Sequence, residues 1–116
     1  MTAAMIEPTE AEFQAGVIQY AELQGFRVAH FADSRREVAG QLVGDRQATG
    51  FPDLTMVRSY ELVFAELKTA KGRLTPEQRK WLQDLDVLAS RSDGLVRVYV
   101  WRPADWPEIE RALRRI

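Results

Sequence analysis

A chain of 116 residues, 46% hydrophobic and 28% charged with a formal net charge of −1, has room for one modest core and is neither disordered nor a polycation. With no cysteine and one histidine, His30, it excludes disulfides, thiolate catalysis and cysteine or multi-histidine zinc sites, so any metal must be held mainly by oxygen atoms, as suits magnesium or manganese. No apolar run approaches the roughly 20 residues of a bilayer span, and the polar, acidic start lacks a signal-peptide pattern, so one cytoplasmic domain over 1–116 with no membrane partner is expected.

Residues 8–24 predict a helix. Pro8 suits its first turn, Glu10 and Glu12 suit the positive end of its dipole, and Phe13, Val17, Ile18 and Ala21 recur at helical spacing until Gly25. Residues 26–31 alternate (Phe26, Val28 and His30 against Arg27, Ala29 and Phe31) and predict a short strand. Residues 32–50, with Asp33, several arginines and three glycines, show no sustained period and predict a long loop, a length that usually signals function or mobility. Residues 53–57 and 61–68 predict two strands joined at Ser59 and Tyr60. Thr75, Pro76 and Gln78 then spell a capping box for a helix to about Ala89, with Trp81, Leu82, Leu85 and Leu88 on its inner face. Residues 95–101 predict an apolar strand broken by Pro103, and 105–115 a last helix with a basic end at Arg111, Arg114 and Arg115. The order αβββαβα implies an α/β fold with a central mixed sheet flanked by helices.

The chemistry concentrates in Gly50-Phe51-Pro52-Asp53 and in Glu66-Leu67-Lys68. Glu66 and Lys68 share one face of their strand, because side chains alternate. A hairpin turning between Ser59 and Tyr60 sets Asp53 directly opposite Glu66. Like charges so placed repel, and a divalent cation offsets the repulsion. Two carboxylates, the carbonyl oxygen of Leu67 and the amine of Lys68 make a site suited to phosphodiester hydrolysis, with Lys68 orienting water or offsetting charge. Taken singly, an Asp after Pro is turn chemistry and Glu-X-Lys is a solvated ion pair. Here, however, the two charges interrupt an apolar strand of Leu62, Val63, Phe64, Ala65 and Leu67, and their desolvation needs a reason. Arg35 and Arg36 in the long loop, and Lys71 and Arg73 beyond Lys68, are candidate phosphate contacts; solvated surface charge is the alternative. Arg79 and Lys80 extend that basic rim. His30 faces the site or serves as a structural hydrogen-bonding residue. Trp81, Trp101 and Trp106 are packing residues first and base-stacking platforms second.

The runs GFPDL…FAELK, GRLTPEQRKWL and VWRPADW resemble the VRR-NUC branch of the PD-(D/E)XK nuclease superfamily, over nearly the whole chain from Glu10 onward. The resemblance implies a restriction-endonuclease-like fold and a catalytic core of Asp53, Glu66 and Lys68. It also implies a glutamine after the E-X-K strand, matched by Gln78, whose other reading is the helix cap. An acid in the N-terminal helix is implied as well. Glu10 is the choice for a further metal or water ligand, with Glu12 as the alternative, and either serves equally as a first-turn dipole acid. The implied function is a Mg2+-dependent deoxyribonuclease, Mn2+ able to substitute, acting on branched or Holliday-junction DNA in replication, repair or recombination. Size and symmetry add the expectation of a homodimer. The rivals are a nucleic-acid-binding module that keeps the fold without cutting, and a structural or interaction domain in which the three residues form only an ion-pair cluster.

Overall fold

The computed structural model describes residues 7–30, 36–38, 41–43 and 49–115, and only the backbone of the two three-residue segments. Helix α1 (Glu10–Leu23) starts where Thr9 caps it. The Thr9 hydroxyl accepts the Glu12 N–H and the Glu12 carboxylate accepts the Thr9 N–H, both at 3.1 Å. The start therefore falls two residues after the predicted one. Gly25, at φ +92°, turns the chain into strand β1 (Arg27–His30).

The stretch predicted to be a loop is corrected in part. Strands β2 (Arg36–Val38) and β3 (Gln41–Val43) pair as a separate antiparallel ribbon. Three residues are too few for an alternation to register in sequence. Phe31, Asp33 and Arg35 lie outside the described residues.

The hairpin follows, as β4 (Leu54–Arg58) and β5 (Glu61–Leu67) turning through Ser59 at φ 51°. Its register runs from Leu54 opposite Ala65 to Arg58 opposite Glu61, the pairing expected from a turn at Ser59 and Tyr60. Helix α2 (Pro76–Ser90) crosses over to β6 (Val96–Trp101), which runs parallel to β5. A short 3-10 turn (Pro103–Asp105) leads into helix α3 (Trp106–Leu113). The mixed four-stranded sheet has the order β1-β4-β5-β6, and with its helices it gives the expected αβββαβα plan.

Alternation divides the sheet into two faces. Leu54 and Met56 of β4 with Val63, Ala65 and Leu67 of β5 pack on Phe13, Val17 and Ala21 of α1 and on Ile109 and Leu113 of α3. Phe64 and Glu66 point to the other face, which α2 covers with Trp81 and the buried Leu82. Leu88, expected on the inner face of α2, is 62% exposed. The covered stripe passes instead through Leu82, Leu85 and Ala89, at helical spacing from Gln78. No helix among the described residues is long and apolar enough to cross a membrane.

Candidate active site

Glu66 is the buried charged residue of the described chain, 2% exposed near the end of β5. Asp53 stands one residue before β4, where continuing the ladder sets it opposite Glu66. Its Oδ2 accepts the main-chain N–H of Leu67 at 2.8 Å, which fixes the carboxylate across the end of the hairpin. Lys68, on the same face as Glu66, brings Nζ to 4.0 Å from Glu66 Oε1 and is itself largely buried. Gln78 reaches in from α2 and donates from Nε2 to the same Oε1 at 3.1 Å. Glu66 Oε2 is buried and has no hydrogen-bond partner.

This environment drives the Glu66 carboxyl up to about 9. Burial is the largest cause; the charge and proximity of Asp53 add to it, Lys68 opposes it, and Glu10 adds a little more. A carboxyl so disfavoured as an anion, with an orphaned oxygen beside a second carboxylate, fits a hard divalent cation bound through oxygen. Among the described residues no three acid or imidazole side chains converge enough to hold an ion alone. An ion held by Asp53 and Glu66 would complete its shell with main-chain oxygen, such as the Leu67 carbonyl, or with water.

Helix α2 registers both acids. The two readings of Gln78 hold at once: its Oε1 accepts the Thr75 N–H at 2.9 Å and its N–H donates to Thr75 Oγ1 at 3.1 Å, completing the cap, while its other end holds Glu66. The segment leading to Asp53 is pressed on the same turn. Gly50 sits at φ +85°, and a Cβ there would lie 2.6 Å from Glu77 C and 2.7 Å from Gln78 N. The Trp81 indole donates to the Thr49 carbonyl at 3.1 Å, and its ring meets Phe51 edge-on, which meets Phe64 in turn.

The remaining predicted residues separate. Glu12 is occupied in the α1 cap, which lowers its pKa through hydrogen bonds to Thr9. Glu10 is the helix acid whose charge reaches Glu66. His30 pairs with Leu54 and so belongs to the α1 face, where Nδ1 lies 3.4 Å from the Gln14 amide. Lys71 and Arg73 are exposed on the turn after β5. Only the backbone of Arg36, in β2, is described. Trp101 is fully buried and stacks on Tyr99, and Trp106 meets Phe13 and Tyr20 edge-on, so both are packing residues.

Sequence reasoning gave no role to Thr9, Gly50 or Arg102, although Gly50 opens the Gly50-Phe51-Pro52-Asp53 run and Arg102 lies within VWRPADW. The T-x-x-E spacing of Thr9 and Glu12 was signal enough for the first. Gly50 stood among other loop glycines. Arg102 has no periodic neighbour to mark it; its guanidinium grips the turn that follows Lys68.

Against known families, residues 4–100 match the model of the VRR-NUC domain. No curated protein matches the chain.

Proposed function

The chain belongs to the VRR-NUC family, a branch of the PD-(D/E)XK-type nucleases that typically depend on metal, and from that premise we propose that it is one nuclease domain cutting DNA phosphodiester bonds with magnesium. Asp53, Glu66 and the Leu67 carbonyl would hold the ion, with Glu10 contributing from the rim. Bound there, a magnesium or manganese ion supplies Lewis acidity, which polarises a phosphoryl oxygen and makes water at the site more acidic. Lys68 orients the attacking water and offsets the negative charge that builds on the phosphorus centre. Gln78 keeps the Glu66 carboxylate from turning, and the Leu67 N–H does the same for Asp53. Lys71 and Arg73, with Arg35 and Arg36, bind the DNA backbone.

The observation that carries this reading is the buried Glu66, one oxygen orphaned and its neighbour Asp53 fixed beside it, in a small chain that must expend stability to keep it there. The finer reading is preference for branched or junction DNA in replication, repair or recombination. A symmetric homodimer gives such a small chain two cutting centres. The test is a cleavage panel of junction, flap, single-stranded and duplex DNA, with and without magnesium, against Asp53→Ala. Magnesium-dependent cutting absent from the variant supports the proposal. Binding without cutting beyond that of the variant leaves a nucleic-acid-binding module in its place.

A further inference from the structure

Lys68 ends a long flexible stem, and its strand alone does not keep the amine at Glu66. The turn that follows supplies a wall. The Gly72 N–H donates to the Thr69 carbonyl at 3.2 Å and to the Thr69 hydroxyl at 3.1 Å, folding the chain back on itself. Gly72 then lies along the lysine: a Cβ built there would stand 3.5 Å from Lys68 Cδ.

One side chain from just beyond the end of the neighbouring strand closes this turn. Arg102 Nη1 donates to the carbonyls of both Thr69 and Gly72, at 2.6 and 2.7 Å. The arginine is itself well placed to hold them. The carbonyl of the preceding residue, Trp101, accepts the Lys68 N–H at 2.9 Å, and the Arg102 N–H donates to Asp105 Oδ2 at 2.8 Å. Among the described residues no carboxylate forms an ion pair with the guanidinium. Its charge is therefore spent on two main-chain oxygens whose only common feature is the turn behind Lys68, and charge-assisted bonds of this kind are the strong ones.

We propose that Arg102 is a positioning residue for the reaction: it fixes the 69–72 turn as a backstop for Lys68 and holds Lys71 and Arg73 at the rim of the same site. This rests on the reading of Lys68 given above. Replacing Arg102 frees two carbonyls, lets the turn open and lets the lysine leave Glu66. A displacement of about 1 Å at such a group costs on the order of 10²-fold in rate.

The test pairs amide hydrogen exchange, followed by NMR, with cleavage kinetics for the wild type, Arg102→Ala, Arg102→Lys and Lys68→Ala. In Arg102→Ala the Gly72 amide should exchange on the order of tenfold faster while Val63 to Ala65 keep their protection. Its kcat should fall roughly 10- to 100-fold with KM changing far less. Millimolar guanidinium ion should restore part of that kcat, and none of the activity of Lys68→Ala. Should the alanine variant not fold, Arg102→Lys, which keeps the charge and reaches fewer acceptors, should fall between in both readouts. Unchanged Gly72 exchange, loss of protection throughout β5, wild-type kcat, or a loss that guanidinium does not relieve would overturn the proposal. A wild-type chain that cuts nothing refutes the nuclease reading alone, and the exchange data still decide whether Arg102 fixes the turn.

Discussion

Among the described residues, Glu66 bears the strongest physical conflict. Burial and Asp53 lift its carboxyl from the ordinary value of 4.5 to about 9, so the folded chain keeps a proton there that the unfolded chain releases. With a chelator present, this group's contribution to stability is whole below the ordinary value and is lost as pH climbs toward about 9. Glu66→Gln cannot ionise and keeps an amide for Gln78 and Asp53 to meet. Thermal denaturation across that range should show the variant with a flatter pH profile and a higher melting temperature than the wild type at mildly alkaline pH. Its cleavage should be lost. Lys68→Ala should melt close to the wild type while kcat drops on the order of 10²- to 10³-fold, the usual loss when one preorganised electrostatic partner is removed. Glu66 and Lys68 were legible in the sequence because charge interrupts an apolar strand, and Asp53 because the hairpin register sets it opposite Glu66. The role of Arg102 was not, because the VWRPADW run does not disclose which carbonyls its arginine grips across the fold.

At the scale of elements, one hairpin and one helix do the positioning. The β4–β5 register followed from the turn at Ser59 and Tyr60, since a slip by one residue would turn Glu66 into the core face packed on α1. The cap of α2 was equally legible in Thr75-Pro76-Glu77-Gln78. What the sequence did not disclose is that this cap also grips both acid-bearing segments, because that depends on Gly50 meeting the helix backbone across the fold. Gly50→Ala adds a methyl group where φ is +85° and the nearest atoms are main chain. The variant should lose about 1–3 kcal/mol in denaturant unfolding, the range of strained backbone positions. Cleavage at temperatures where it stays folded should fall as well, because Asp53 shifts. The β2–β3 ribbon was missed for a different reason: strands this short leave no period.

Across the whole molecule the sheet separates chemistry from structural support. At the end away from Asp53 and Glu66, Arg58 pairs with Glu61 at 2.9 Å and donates to the carbonyls of Gln24, Leu113 and Arg114, tying the ends of α1 and α3 together. Arg97 joins the same Glu61 at 2.7 Å. Arg58→Ala should cost about 2–3 kcal/mol in unfolding, the scale for hydrogen bonds to a charged group, and leave kcat of the folded fraction unchanged. That contrast with Gly50→Ala follows from which end of the sheet each residue serves. Everything rests on Asp53, just ahead of β4, and Glu66, in β5, holding one divalent ion beside the Lys68 amine. Anomalous diffraction from a crystal soaked in manganese tests it most directly. The expected result is a peak about 2.1 Å from a carboxylate oxygen of both Asp53 and Glu66, with the Lys68 amine alongside. A map with no peak between those carboxylates, and the three side chains turned apart, would contradict it.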